Sequence, residues 1–304
     1  MTRPRILSVR KIWARAEHNA FTDLTRFRGA WYCAFREGAG HAGSSGKVRV
    51  ITSKDGELWR SAALLSEKGA DLRDPKLSVA PGSRLMLIMG GTEAAGRQTR
   101  VRFSRDGSRW TGPVPILEDG DWLWRATWLG PRAYGISYSV ESKNRWTIAL
   151  CQSRDGLAWE KLQTLAVGGL PNEATLRFLP DRTAVCLLRR EGGDRHAWIG
   201  HGRPPYTRWK WRSTRHRVGG PNFIVLPSGA MWGGGRSSTP EGPRAVIARM
   251  GLASWEPVLE LPSSGDCSYP GLALHRGILW VSYYSSHEGR TSIYLARIGL
   301  AGAR

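Results

Sequence analysis

The sequence is short of acidic residues, of cysteine and of long apolar runs. Against 45 Lys and Arg stand 25 Asp and Glu, a formal net charge of +20, which favours anionic partners. The four cysteines (Cys33, Cys151, Cys186 and Cys267) form no Cys-x-x-Cys pair and no Cys/His cluster. That spacing suits neither a zinc site nor a dense disulfide framework, and reads as free, buried thiols. No apolar run approaches the roughly 18 residues of a membrane span, and "MTRPRILSVRK" lacks the apolar segment of a secretory signal. As written the chain reads as soluble and cytoplasmic, with no membrane partner; a secreted or periplasmic location remains compatible if a signal has been removed. No long stretch carries a 3.6-residue apolar period, which argues against a helical fold.

What is present is turn chemistry and short strands. The chain has 37 Gly, 17 Pro and 15 Trp, and apolar runs such as "AWYCAF", "RLMLIM" and "ILWVSYY" are bounded by turn residues, the pattern of an all-β chain. Ser-x-Asp-Gly-x-x-Trp occurs at Ser53 to Trp59, Ser104 to Trp110 and Ser153 to Trp159, at offsets of 51 and 49. Each copy follows a strand and reads as a β-turn in which Asp and Gly supply geometry and Trp packs beneath. "PPYTRW" (Pro204 to Trp209) reads as a worn copy.

A longer period runs through the whole chain. With Asn19, Asp74, Arg125, Glu173, Asn222 and Tyr269 as equivalent starts, the intervals are 55, 51, 48, 49 and 47. Units of that length with four short strands predict a six-bladed β-propeller. The last unit runs out of chain while "RILSVRKIW" has no unit of its own, so the N-terminal strand is expected to close the last blade. Residues 1–304 then form a single domain without a linker, and the Ser-x-Asp-Gly turns lie at the outer rim, away from chemistry.

In a propeller the leading residues of each inner strand converge on one face. Here those positions hold His18, Asn19, Arg73, Asp74, Arg125, Asn172, Glu173, Asn222, Asp266 and Tyr269, and Arg36, Arg189 and Arg236 end second strands within reach of the same funnel. Plainer readings stand beside the functional ones. Glu173 suits a structural ion pair with Arg189 or Arg190, Tyr269 a packed aromatic before Pro270, Arg36 a partner for Glu37 or Glu17, and His41 a solvent-facing loop. Nucleic acid is not the expected partner, because Arg is spread along the chain and no helix-turn-helix, RNP or zinc-finger signature accompanies it.

Ser-x-Asp-Gly-x-x-Trp resembles the Asp-box of the sialidase-like (neuraminidase, BNR-repeat) propellers, and the resemblance covers essentially the whole chain. "NEATLRFLPDRTAVCLLR" resembles the sialidase segment in which a Glu opens a strand and an Arg closes the next, here Glu173 and Arg189. "PSGAMWGGGRS" resembles the segment of another carboxylate-binding Arg, here Arg236, and "SYPGLALHRGILWVSYY" the one that opens with a Tyr, here Tyr269. The resemblance implies a hydrolase, an exo-α-sialidase-like glycosidase, in which Glu173 deprotonates the nucleophile Tyr269 while guanidiniums hold an acidic glycan's carboxylate. It departs in two places. The first sialidase Arg is replaced by the stretch His18-Asn19-Ala20-Phe21, and "EGAGHAGSSGK" has no Asp where the acid/base is expected, leaving His41 or Asp74 for that role. His18, Asn19, Arg36, Arg73, Arg125 and Asn222 complete the expected substrate-facing set. No cofactor or metal is required, and the oligomeric state stays open. A polysaccharide lyase acting on uronate glycans and a non-catalytic glycan-binding propeller remain as alternatives.

Overall fold

The computed structural model describes residues 3–43 and 45–300. Six four-stranded antiparallel sheets follow one another, the first five running outward in chain order. The inner strands of blades one to six are His18–Phe27, Asp71–Ala80, Trp122–Leu129, Pro171–Phe178, Gly219–Val225 and Ser268–His275. Blade six takes its outermost strand, Arg5–Trp13, from the N-terminus, antiparallel to Ser292–Gly299. The ring is thus closed by hydrogen bonds between the two ends of the described chain.

The Ser-x-Asp-Gly turns staple blade to blade. In the first, Asp55 Oδ1 accepts from the N–H groups of Glu57 and Leu58, at 2.8 and 3.1 Å, while Ser53 Oγ accepts from Gly56 N at 2.8 Å. The glycine is needed twice over. Its φ is positive (82°, 78° and 80° at Gly56, Gly107 and Gly156), and a Cβ there would meet an aromatic ring of the neighbouring blade: Trp280, Tyr32 and Phe103 respectively. Tyr32 also donates its hydroxyl to Asp106 O at 3.0 Å. The worn copy keeps the geometry without the residues: Tyr206 takes the glycine's place at φ 67°, and Trp209 Nε1 donates to its carbonyl at 2.8 Å, as Trp159 does to Gly156.

Every inner strand is bulged at the same place. The pairing with the second strand slips between Ala20 and Asp23, Arg73 and Lys76, Leu123 and Ala126, Pro171 and Ala174, Gly219 and Asn222, and Ser268 and Gly271. A bulge inserts a residue, bends the strand and re-aims its side chains. Phe21, Asp74, Gly220 and Tyr269 adopt positive φ at these points, so the equivalent positions are Phe21, Asp74, Trp124, Asn172, Gly220 and Tyr269. The starts read from sequence are therefore displaced by one or two residues in four blades.

Backbone groups freed by the bulges are satisfied sideways, by side chains of the adjoining inner strand. Thr22 Oγ1 donates to Tyr269 O at 2.7 Å, Thr175 Oγ1 to Pro221 O at 2.8 Å, and Asn222 Nδ2 to Pro270 O at 2.8 Å. Asp23 Oδ2 accepts from Leu77 N at 2.7 Å and from Arg125 Nη1 at 2.7 Å. The ring of inner strands is thereby cross-bonded around the channel, which fixes the side chains above it.

Candidate active site

Tyr269 stands at the bulge of blade six, 8% exposed and at φ 50°. Phe21 packs edge-on against its ring at 5.1 Å between centroids, with Trp124 at 5.5 Å and Tyr284 at 6.0 Å. Its hydroxyl donates to Glu173 Oε1 at 2.5 Å. Arg189 Nη1 donates to the same carboxylate oxygen at 2.6 Å and reaches Tyr269 Oη at 3.5 Å, while Glu173 Oε2 accepts from Gly220 N at 2.9 Å. Burial alone would raise the Glu173 carboxyl, but the Arg189 guanidinium and the hydrogen bonds from Arg189, Tyr269 and Gly220 outweigh it, so Glu173 lies below its ordinary range and is ionised. Burial and the Glu173 charge push the Tyr269 phenol well above its ordinary value, so it rests protonated.

A second cluster lies beside the first. His18 Nε2 and His41 Nδ1 both contact Asp266 Oδ2, at 2.9 and 2.7 Å, and Tyr284 Oη donates to Asp266 Oδ1 at 3.0 Å. Burial opposes ionisation of Asp266, yet these hydrogen bonds hold it well below the usual carboxylate range. An ionised carboxylate only accepts, so the two facing imidazole nitrogens carry hydrogens. The His41 side chain is 51% exposed, its ring edge-on to Phe21 at 5.0 Å, and its Nε2 has no protein partner among the described residues.

Three arginines lie in or beside this cluster. Arg189 is held by Glu173 and by Glu191. Arg73 lies over the Phe21 ring at 5.1 Å, and Arg236 donates to Cys267 O at 3.3 Å. Both are partly buried, and neither is ion-paired with a carboxylate among the described residues. Asp74 is buried with Oδ1 unpartnered, and burial raises its carboxyl despite Arg73 and Lys76 nearby.

Four residues of the expected substrate-facing set belong to the scaffold instead. Arg36 is fully buried and donates to Asp71 Oδ1 at 2.8 Å and Gly40 O at 2.6 Å, tying down both ends of the loop that carries His41, since Gly46 N also donates to Asp71. Asn19 Nδ2 donates to Ala16 O and Thr291 O. Arg125 is paired with Asp23, and Asn222 bonds Pro270 O and Arg177. In each case buried protein groups take up the side chain's polar atoms.

Sequence reasoning missed the roles of Lys76, Phe21 and Tyr284 and the pairing of Asp266 with the histidines. Lys76 is 3% exposed, with Nζ 4.5 Å from the Trp124 ring and 5.5 Å from the Tyr269 ring. Burial pushes its ammonium down to about 8 although Asp74 opposes this. The Pro after Asp74, after Gly220 and after Tyr269 was the available signal for the bulges.

No family model and no curated protein matches the chain. Solved structures do. A protein of unknown function from Dyadobacter fermentans superposes with a TM-score of 0.85 at 19% identity, over 99% of this chain and 100% of that one. An α-L-arabinofuranosidase from Fusarium graminearum in complex with an iminosugar inhibitor gives 0.75 at 12% identity, over 96% and 97%. Trypanosoma rangeli sialidase, as the covalent intermediate with 2,3-difluorosialic acid, gives 0.74 at 12% identity over 93% of this chain and 54% of that one, so the chain spans about half of that sialidase. At these identities the likeness establishes the fold alone, a six-bladed propeller.

Proposed function

We propose that the chain is a retaining glycoside hydrolase acting on a terminal acidic sugar, sialic acid or a related keto-acid or uronic sugar. The observation that carries this reading is the 2.5 Å hydrogen bond from Tyr269 to an ionised, buried Glu173 beside Arg189. Support also comes from the fold, which is shared with a sialidase captured as a covalent intermediate.

The phenol is far less acidic than the Glu173 carboxyl, so the resting pair keeps the proton on Tyr269. Proton transfer to Glu173 Oε1 accompanies attack of Tyr269 Oη on the anomeric carbon. As that C–O bond forms, the bond to the aglycone breaks and His41, acting as an imidazolium paired with Asp266, gives its Nε2 hydrogen to the departing oxygen. In the second half His41 Nε2 takes a proton from water, the hydroxyl adds to the anomeric carbon, and Tyr269 leaves, recovering its proton from Glu173. A phenol nucleophile suits an anionic sugar, which would repel a carboxylate. Arg73 and Arg236, lacking carboxylate partners among the described residues, are the groups to receive the sugar's own carboxylate. Those same two guanidiniums favour an acidic sugar over the neutral arabinosyl substrates of other propellers of this fold.

The test is release of a fluorogenic aglycone from α-linked N-acetylneuraminic acid, its deaminated analogue, a uronide and an α-L-arabinofuranoside. Turnover of an acidic glycoside that is lost in Tyr269→Phe supports the reading. Turnover of the arabinofuranoside alone, or an unsaturated product, would replace it with another substrate class or with elimination.

A further inference from the structure

We propose that His18, His41 and Asp266 bind one divalent transition-metal ion, with zinc as the reference ion, at the edge of the Tyr269 site. The three residues come from the start of blade one's inner strand, from the loop after Gly38 and from the segment before Ser268, with His18 and His41 separated from Asp266 by 248 and 225 residues. No local spacing could have announced them. Their donor atoms, His18 Nε2, His41 Nδ1 and Asp266 Oδ2, all lie within 4.8 Å of one another.

The donor set decides the class of ion. Two imidazole nitrogens and one carboxylate oxygen suit zinc, nickel or copper, whereas calcium and magnesium require mostly oxygen. Three protein ligands leave a coordination position open, and the 51% exposure of the His41 side chain gives it access to solvent. The surroundings fix the ligands. His18 is 7% exposed, with Phe21 and Tyr284 at 6.3 and 6.4 Å between ring centroids, and Tyr284 Oη holds the free oxygen of Asp266 at 3.0 Å, an outer partner of the kind that orients metal ligands. His18 Nδ1 is buried without a partner, so no neighbouring donor opposes the hydrogen's moving there when Nε2 binds the ion.

Two of the three donor–donor edges are already close to the required length, and the His18–His41 edge lies within 4.8 Å. Ligands of a tetrahedral zinc at about 2.0–2.1 Å sit about 3.3 Å apart, against 2.9 and 2.7 Å from the two nitrogens to Asp266 Oδ2. His41 supplies the opening, because its loop contains Gly40 and Gly43, around which there is open space. On binding, His18 Nε2 and His41 Nδ1 surrender their hydrogens. Each ring then carries its proton on the other nitrogen, or an imidazolium releases one to solvent. Coordination also pins His41, so the ion inhibits turnover by removing the proton donor. That last consequence rests on the proposed function; the binding itself does not.

The experiment is competition for zinc between the chelator-stripped full chain and a chromophoric chelator. Wild type should take up one equivalent with micromolar affinity or better, Tyr269→Phe should match it, and His41→Ala and Asp266→Asn should each bind at least tenfold more weakly. His41 lies on an exposed loop, so its variant keeps the fold out of question. No competition by wild type, or undiminished binding by both variants, would overturn the site. Where an acidic glycoside is turned over, zinc should inhibit wild type reversibly. One-to-one binding that vanishes in His41→Ala, without turnover of any glycoside, would sink the proposed function and leave the metal site standing.

Discussion

Tyr269 and Glu173, 96 positions apart in the chain, meet through a 2.5 Å hydrogen bond because the inner strands of blades four and six bulge at equivalent points. The bond joins a phenol pushed up in proton affinity to a carboxylate held down by Arg189.

Glu173→Gln should lower kcat/KM for an acidic glycoside by about 10²- to 10⁴-fold, the usual worth of a positioned base. The circular dichroism spectrum should be unchanged, since Gln can still accept from Gly220. A loss of less than about tenfold would reduce Glu173 to the ion-pair partner of Arg189.

Substituting Arg73 or Arg236 by Met should raise KM for an anionic sugar by about tenfold to a hundredfold, and change kcat less. The same variants should leave a neutral glycoside of the same aglycone nearly unaffected. Equal losses on both substrates would mean that the guanidiniums do not recognise a carboxylate.

Lys76 gives a pH signature. Its ammonium is pushed down to about 8 from 10.5 by burial, so between those values the unfolded chain binds a proton that the folded chain has released. Stability of wild type relative to Lys76→Met should therefore rise with pH across that window, by up to about 3 kcal/mol. Urea midpoints of the two proteins at pH 7 and pH 10 measure it, and a constant difference would contradict the burial of a charged Lys76.

Gly107→Ala should destabilise by about 2 kcal/mol or more, because it combines a left-handed backbone with a Cβ placed 2.1 Å from the Tyr32 ring. Gly120→Ala, at φ 87° in open space, should cost about 1 kcal/mol from the backbone alone. Similar thermal midpoints for the two variants would contradict the stapling role of the turn.

The architecture was legible because a repeat states it in local terms: turn residues recur at a fixed spacing, and the chain ends left one blade to be closed by the N-terminal strand. Glu173, Tyr269, Arg189 and Arg236 were reachable through the resemblance of their segments to sialidases; the first three form one hydrogen-bonded cluster, and Arg236 donates to Cys267 O, two residues before Tyr269. The remainder depends on where a bulge sits and on which way it turns a side chain. Counting from Asn19 rather than Phe21 placed a scaffold amide where an aromatic wall stands. Arg36 and Arg125 have the composition of a substrate clamp, but carboxylates from elsewhere in the ring, Asp71 and Asp23, claim them. Asp266 joins His18 and His41 only in three dimensions, as does the approach of Lys76 to the Tyr269 ring.

The most direct measurement of the central claim is the intact mass and peptide map of the protein after reaction with 2,3-difluorosialic acid. A sugar adduct on Tyr269, absent from Tyr269→Phe and slower to form in Glu173→Gln, is the outcome expected of a phenol nucleophile activated by its carboxylate. Turnover of an acidic glycoside with the adduct on another side chain would contradict it.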